Sequence, residues 1–250
     1  MKTETALLES GKTRRAEGRF YIGMALVAMA IAVAGFVPAL VDGERKEPLT
    51  WAVGAHGVVF GAWLLLFLTQ TILVPKGRIA VHRRLGYVGL GLAVLLVVSG
   101  YFTAIAMARR GYDLSGDIMN TSPDALFALL FQLSDLVTFG FLVGVAVWYR
   151  RLPDVHKRLM LLAIVGALTP AALTHIWGHS PVLREIKAPI ILIPLIPLLF
   201  AGAVHDRLSR GRIHPVSLWV ALVLLVWTPL RAVVIGPSET WHQFAAWLIR

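Results

Sequence analysis

VHRRLGYVGL (Val81–Leu90) and VHKRLMLLAI (Val155–Ile164) share one phrase: Val-His, two basic residues, Leu, then apolar sequence. A basic loop entering a long hydrophobic run is how a membrane helix begins on the side where positive charge collects. Working outward, seven apolar stretches approach the roughly 20 residues that a spanning helix needs. They cover 20–41, 51–74, 85–107, 125–149, 159–178, 189–204 and 215–236. The sixth is the shortest and carries Pro189, Pro194 and Pro197, which predicts a kinked or broken helix. The fold expected is an all-α polytopic membrane bundle of about seven transmembrane helices.

Composition agrees. The chain is 57% hydrophobic and 15% charged, against roughly 25% charged for a soluble domain. Mean hydropathy is +0.72. There is no cysteine, which excludes disulfides, thiolate metal sites, iron–sulfur clusters and covalent c-type haem. The net charge of +10 is unevenly placed. With the N-terminus inside, 16 of the 24 Lys+Arg fall on the cytoplasmic side and 8 outside. The basicity therefore sets topology and meets anionic lipid, so nucleic acid is not expected as a partner. Residues 1–19 read as a basic cytoplasmic segment, 20–236 as the bundle and 237–250 as an interfacial segment with Trp241, Phe244 and Trp247 at near-helical spacing. The first stretch exceeds the 7–15 residues of a signal h-region and reads as an uncleaved anchor.

After the first helix the chain divides into three αα-hairpins, each turning on a basic loop: PKGRIAVHRRLG, YRRLPDVHKRLM and HDRLSRGRIHPV. His82, Arg83, Arg84, His156, Lys157, Arg158, Arg212 and His214 thus stand at helix starts. Cations there oppose the helix dipole by about 0.3–1 kcal/mol each, so helix stability does not select them. Two roles remain open: topology with binding of anionic headgroups, or helix N-termini and arginines converging on a phosphate, a carboxylate or a quinone-like head.

HGVVFGAWLLLFLTQTILVPKGRIAVHRRLG (His56–Gly86), VHKRLMLLA and SRGRIHPVSLW together resemble a group of small bacterial multi-helix inner-membrane proteins. The resemblance implies recurring phrases containing His56, Gln70, His82, His156 and His214, and no particular chemistry. More loosely, the His-basic-x-Leu-Gly start is similar to membrane haem proteins of the cytochrome b561 type, which implies haem b.

Ionisable residues inside a membrane are expensive and mark candidate sites. His56 lies about 7–8 Å into the second helix at 1.5 Å per residue, and His175 lies at similar depth in the fifth. His179 follows at i+4, on the same helix face. Three imidazoles toward the outer end suit haem b or a transition metal (Cu, Zn or Fe), with an electron-transfer role and quinone as partner. The alternative is interfacial solvation and helix packing. Asp135 sits near the middle of the fourth helix and, with Gln70, reads as a polar or proton path through a transporter, channel or assembly factor, the alternative for Asp135 being to join helices through hydrogen bonds. Arg231 near the outer end of the seventh helix is expected to snorkel. No G-x-S-x-G, Walker A, GxGxxG or H-E-x-x-H occurs.

Overall fold

The computed structural model describes residues 2–41, 50–111, 124–184 and 191–250, with side chains for all of these except residues 2–15, 39, 40, 179, 181 and 184. The described residues form an all-α bundle. Seven helices are long and apolar enough to cross a membrane, compatible with a multi-pass membrane protein. They are α1 (Lys2–Val41), α2 (Trp51–Leu73), α3 (Ile79–Arg110), α4 (Ala125–Trp148), α5 (Pro153–Ala163) continuing into α6 (Thr169–His179), α7 (Leu192–Arg210) and α8 (Pro215–Leu230); an eighth, α9 (Glu239–Leu248), is short. The α2–α3, α4–α5 and α7–α8 hairpins each pack together, as the tandem loops suggested.

The fifth span, α5 through α6, is the centre. Over Pro153–Gly178, 78% of its best apolar window is buried, against 22–44% for the other spans. It touches α1, α4, α7 and α8. The other spans carry exposed Leu, Val and Phe, such as Val94, Leu95 and Phe102 on α3. That is the surface a hydrocarbon solvent tolerates.

Hydropathy set several helix starts and ends too far inward. The third helix begins at Ile79 rather than 85, and the fifth at Pro153 rather than 159. Pro153 is in the first turn, where its missing N–H is no loss. The sixth span is not broken among its described residues; Pro189 lies outside them. It runs from Leu192 through Pro197 to Arg210, six residues beyond the expected end at 204. Charged residues ended the apolar count, but the helix continues because those charges find partners.

Two Thr-Pro pairs explain the irregular helices. Between α5 and α6 lies a π-turn, Ile164–Leu168. Pro170 has no N–H for the carbonyl of Gly166. The Thr169 amide and its Oγ1 both donate to Ile164 O, the hydroxyl at 3.0 Å. Gly166 lies in that turn because a Cβ there would strike the Leu224 side chain of α8. In α8, Thr228 Oγ1 donates to Leu224 O at 3.0 Å, Pro229 comes next, and a second π-turn occupies Arg231–Ile235. One extra residue rotates the rest of a helix by about 100°, and π-turns occur frequently at functional sites.

Candidate functional site

Two guanidinium–carboxylate pairs are buried in the bundle. The first lies at the end carrying the basic loops. Arg158 on α5 is 2% exposed and Asp206 on α7 is 1% exposed. Arg158 Nη2 pairs with Asp206 Oδ1, and Nε donates to Asp206 Oδ2 at 3.0 Å and to Ser217 Oγ at 3.1 Å. Asp206 Oδ2 also accepts from the Ser217 hydroxyl at 2.6 Å and from the His214 amide at 3.4 Å. Nη1 donates to Asp154 O at 2.6 Å and to its Oδ1 at 3.2 Å. The start of α8, the start of α5 and the end of α7 therefore converge on an anion, but it is the chain's own carboxylate. Around it, Glu17 meets Lys157 at 2.5 Å and Arg210 at 2.7 Å, while Asp154 meets Lys157 at 2.6 Å and Arg210 at 2.9 Å.

The second pair is near mid-bundle. Asp135 is the eleventh of the 24 residues of α4, about 15 Å along it. Arg231 at the end of α8 is 1% exposed. Its Nη1 pairs with Asp135 Oδ1 and donates to Ser134 Oγ at 2.6 Å. Its guanidinium carbon lies 5.0 Å from the centroid of the Phe131 ring and 5.8 Å from that of Trp227. Arg231 does not snorkel: the rotation at the π-turn accompanies its entry into the bundle, where a carboxylate neutralises it. Ser217 and Arg231 are fourteen residues apart on one helix, so the two pairs are separated by about 21 Å.

The other residues singled out in the sequence fall into separate environments. Arg158 is buried and saturated by carboxylates and a hydroxyl, so it does not face headgroups. Lys157 is held by Glu17 and Asp154. Arg83, Arg84 and Arg212 are exposed. His214 caps α8, its Nδ1 accepting from the Val216 amide at 3.2 Å. The repeated phrase does bring two histidines together: the His82 and His156 rings lie 6.4 Å apart, edge to face. His156 Nδ1 donates to Ala146 O at 2.8 Å. Gln70 belongs to this cluster and not with Asp135; its Nε2 donates to His82 O at 3.1 Å.

His56 hydrogen-bonds Ser99 of α3 at 3.0 Å through Nδ1. His175 turns to α1, where its ring lies 5.0 Å from that of Phe36. Phe36 in turn meets Phe60 of α2 at 5.5 Å, so an aromatic ring fills the contact between α1 and both neighbours. The side chain of His179 lies outside the described residues. Among the described residues no three His, Asp or Glu side chains come together as a metal would require. Two histidines turned to different helices do not fit a shared haem or metal.

The C-terminal helix closes one end. Trp241 Nε1 donates to Leu126 O at 2.8 Å, Arg109 Nε to Ile249 O at 2.7 Å, and His242 Nε2 meets Asp124 Oδ2 at 3.1 Å. The Ser238 carbonyl bonded to His242, and then Asp124, raise the imidazole pKa above its usual value. Burial pushes Asp124 up, but the Phe127 amide and His242 outweigh it and hold the carboxyl low. The raised imidazole contributes stability that is full below about pH 6.5 and lost as pH rises through its folded value. The lowered carboxyl contributes above about pH 4 and loses this as pH falls through its own. Docking of α9 should therefore be tightest between those two values, by a few tenths of a kcal/mol for so exposed a pair. The Trp241 indole N–H resonance should shift with pH above neutrality and stop doing so in His242→Ala.

No family model, no curated protein and no solved structure matches this chain.

Proposed function

We propose that this chain is a bacterial inner-membrane transporter, non-enzymatic, with the Asp135–Arg231 pair as its working centre. The N-terminus lies in the cytoplasm and the C-terminus outside, by the bias of basic residues. Arg83, Arg84 and Arg212 face anionic headgroups on the inner side.

The observation that carries the reading is a full ion pair near the middle of a membrane bundle. Burying two charges costs several kcal/mol per ion, and well-packed apolar residues would often serve stability as well. Intramembrane carboxylates and guanidiniums mark pathways. Both pairs join α8 to other helices: the inner one to α5 and α7, the middle one to α4. Each is a contact that can open while the other stays closed, which is what alternating access requires. The π-turns in the two helices that carry the arginines supply the adjustable backbone.

Because the chain has no cysteine, single cysteines report on access without background. Ser134→Cys places a thiol beside Arg231, and Val137→Cys, at a residue 70% exposed on the lipid-facing side of the same helix, is the control. A water-soluble thiosulfonate reacts with thiolate, which forms only where water reaches. Ser134→Cys should label at least about tenfold faster than Val137→Cys in reconstituted vesicles, with Asp135→Asn changing that rate. Equal inertness of the two thiols ends the transporter reading.

A further inference from the structure

We propose that Arg231 is the receptor for an aromatic or similarly apolar monocarboxylate, which replaces Asp135 at the guanidinium while Asp135 takes up a proton. This rests on the transporter reading and names its substrate class.

The first observation is a pair of unspent donors. Arg231 Nε and Trp227 Nε1 are both buried and hydrogen-bond to nothing among the described residues. They sit one helical turn apart on α8, with the guanidinium 5.8 Å from the indole centroid. Both groups only donate. Their ligand is therefore an acceptor, which excludes metal cations and protonated amines. Leaving a buried donor unpaired carries a desolvation penalty, so two in one cluster call for an occupant.

The second is the geometry of the guanidinium. Asp135 and Ser134 take Nη1. Nε lies on the other edge of the fork, where a carboxylate binds side-on with two parallel hydrogen bonds. The rings of Phe131 and Trp227 flank the guanidinium, and Phe127 lies 5.4 Å from Phe131. Flat apolar rings beside a charged end suit a ligand with an apolar body and one carboxylate.

The third is charge. Arginine stays protonated in proteins, and among the described residues Asp135 makes its ion pair with Arg231. On α4 itself Ser134 is neutral. On α9 the nearest titratable group, His242, is committed to Asp124 at the start of α4. On α3, Arg109 reaches α9, and on α5 Arg158 is committed to Asp206. A second anion beside Arg231 would leave an uncompensated charge in an apolar interior. Neutrality is restored when Asp135 accepts one proton from the aqueous side that delivers the anion. One carboxylate and one proton enter together, no electrons move, and the site is neutral before and after.

Benzoate is the probe. Titration of the full-length protein in detergent, in two buffers of different ionisation enthalpy, yields both affinity and protons taken up. Wild type should take up one proton per benzoate near neutral pH, with affinity falling about tenfold per pH unit over that same range. Asp135→Asn should bind with no proton uptake and no pH dependence. Arg231→Gln should lose binding at least tenfold. Trp227→Phe, which removes a donor and leaves the ion pair intact, should weaken binding about fivefold while keeping the proton stoichiometry. Absence of saturable binding to folded wild type, binding unchanged in Arg231→Gln, or binding without proton uptake overturns the proposal. So does chloride titrating the same site with the same Arg231 dependence, which would make it a halide site. Cysteine accessibility at Ser134 is independent of these outcomes, so the substrate can fail while the transporter reading stands.

Discussion

Arg158→Ala is expected to cost about 3–5 kcal/mol, because it strands a buried carboxylate. Asp206 would keep only the Ser217 hydroxyl at 2.6 Å and the His214 amide at 3.4 Å. Neither offsets a full charge with 1% exposure. Heating the detergent-solubilised protein and reading the folded fraction by size exclusion should show a fall in midpoint of about 10 °C. Arg210→Ala is the contrast. Arg210 is 29% exposed and reaches Glu17 and Asp154 at the rim, where such pairs contribute at most about 1 kcal/mol. The double variant Arg158→Leu with Asp206→Leu should recover most of the loss, since it removes both charges at once. If the double variant is no better than Arg158→Ala alone, the site is held by shape and not by charge.

The contrast between those arginines shows what a sequence carries and what it withholds. The apolar stretches and the basic loops were enough for the number of spans and the three hairpins, because hydropathy is local and the bilayer constrains every span alike. The ends of α3, α5 and α7 lie beyond the apolar stretches because charged residues at a helix end need not be exposed. Arg158 and Lys157 are neighbours in one basic phrase, yet one is buried and the other sits at the rim. Only tertiary packing separates them, since a helix turns by about 100° per residue. Asp135 stands alone in an apolar run, and its partner Arg231 is legible too, but a cation near a helix end reads as interfacial. The available signal was the repeated Thr-Pro, at Thr169-Pro170 and Thr228-Pro229, which marks where the helices depart from regular geometry. The histidines went the other way. His175 and His179 share a helix spacing that suggests ligation, but a ligand set also needs a second helix, and His56 on α2 is bonded to Ser99 of α3.

Gly35→Ala and Gly23→Ala should act in opposite directions, although both place a methyl group on α1. The stripe Ala25, Ala28, Ala32 and Gly35 is buried, while Val27, Val33 and Val37 are exposed. Small residues on one face let two helix backbones approach closely. At Gly35 the approach is at its limit: a Cβ there would fall on the carbonyl oxygen of Ala172 in α6 and lie 2.9 Å from its Cα. The obstacle is backbone on the central helix, which cannot rotate away as a side chain would. The helices must separate, and Phe36, next along α1, then loosens from His175 and Phe60, whose rings it meets at 5.0 and 5.5 Å. Overpacking of this kind costs about 1–3 kcal/mol. Gly23 has nothing within 4 Å of its missing Cβ, so alanine there brings only helix propensity, a gain of up to about 1 kcal/mol. Thermal midpoints on either side of wild type are the expected result. A Gly35→Ala midpoint at or above wild type would mean that α1 and α6 do not meet at this backbone contact.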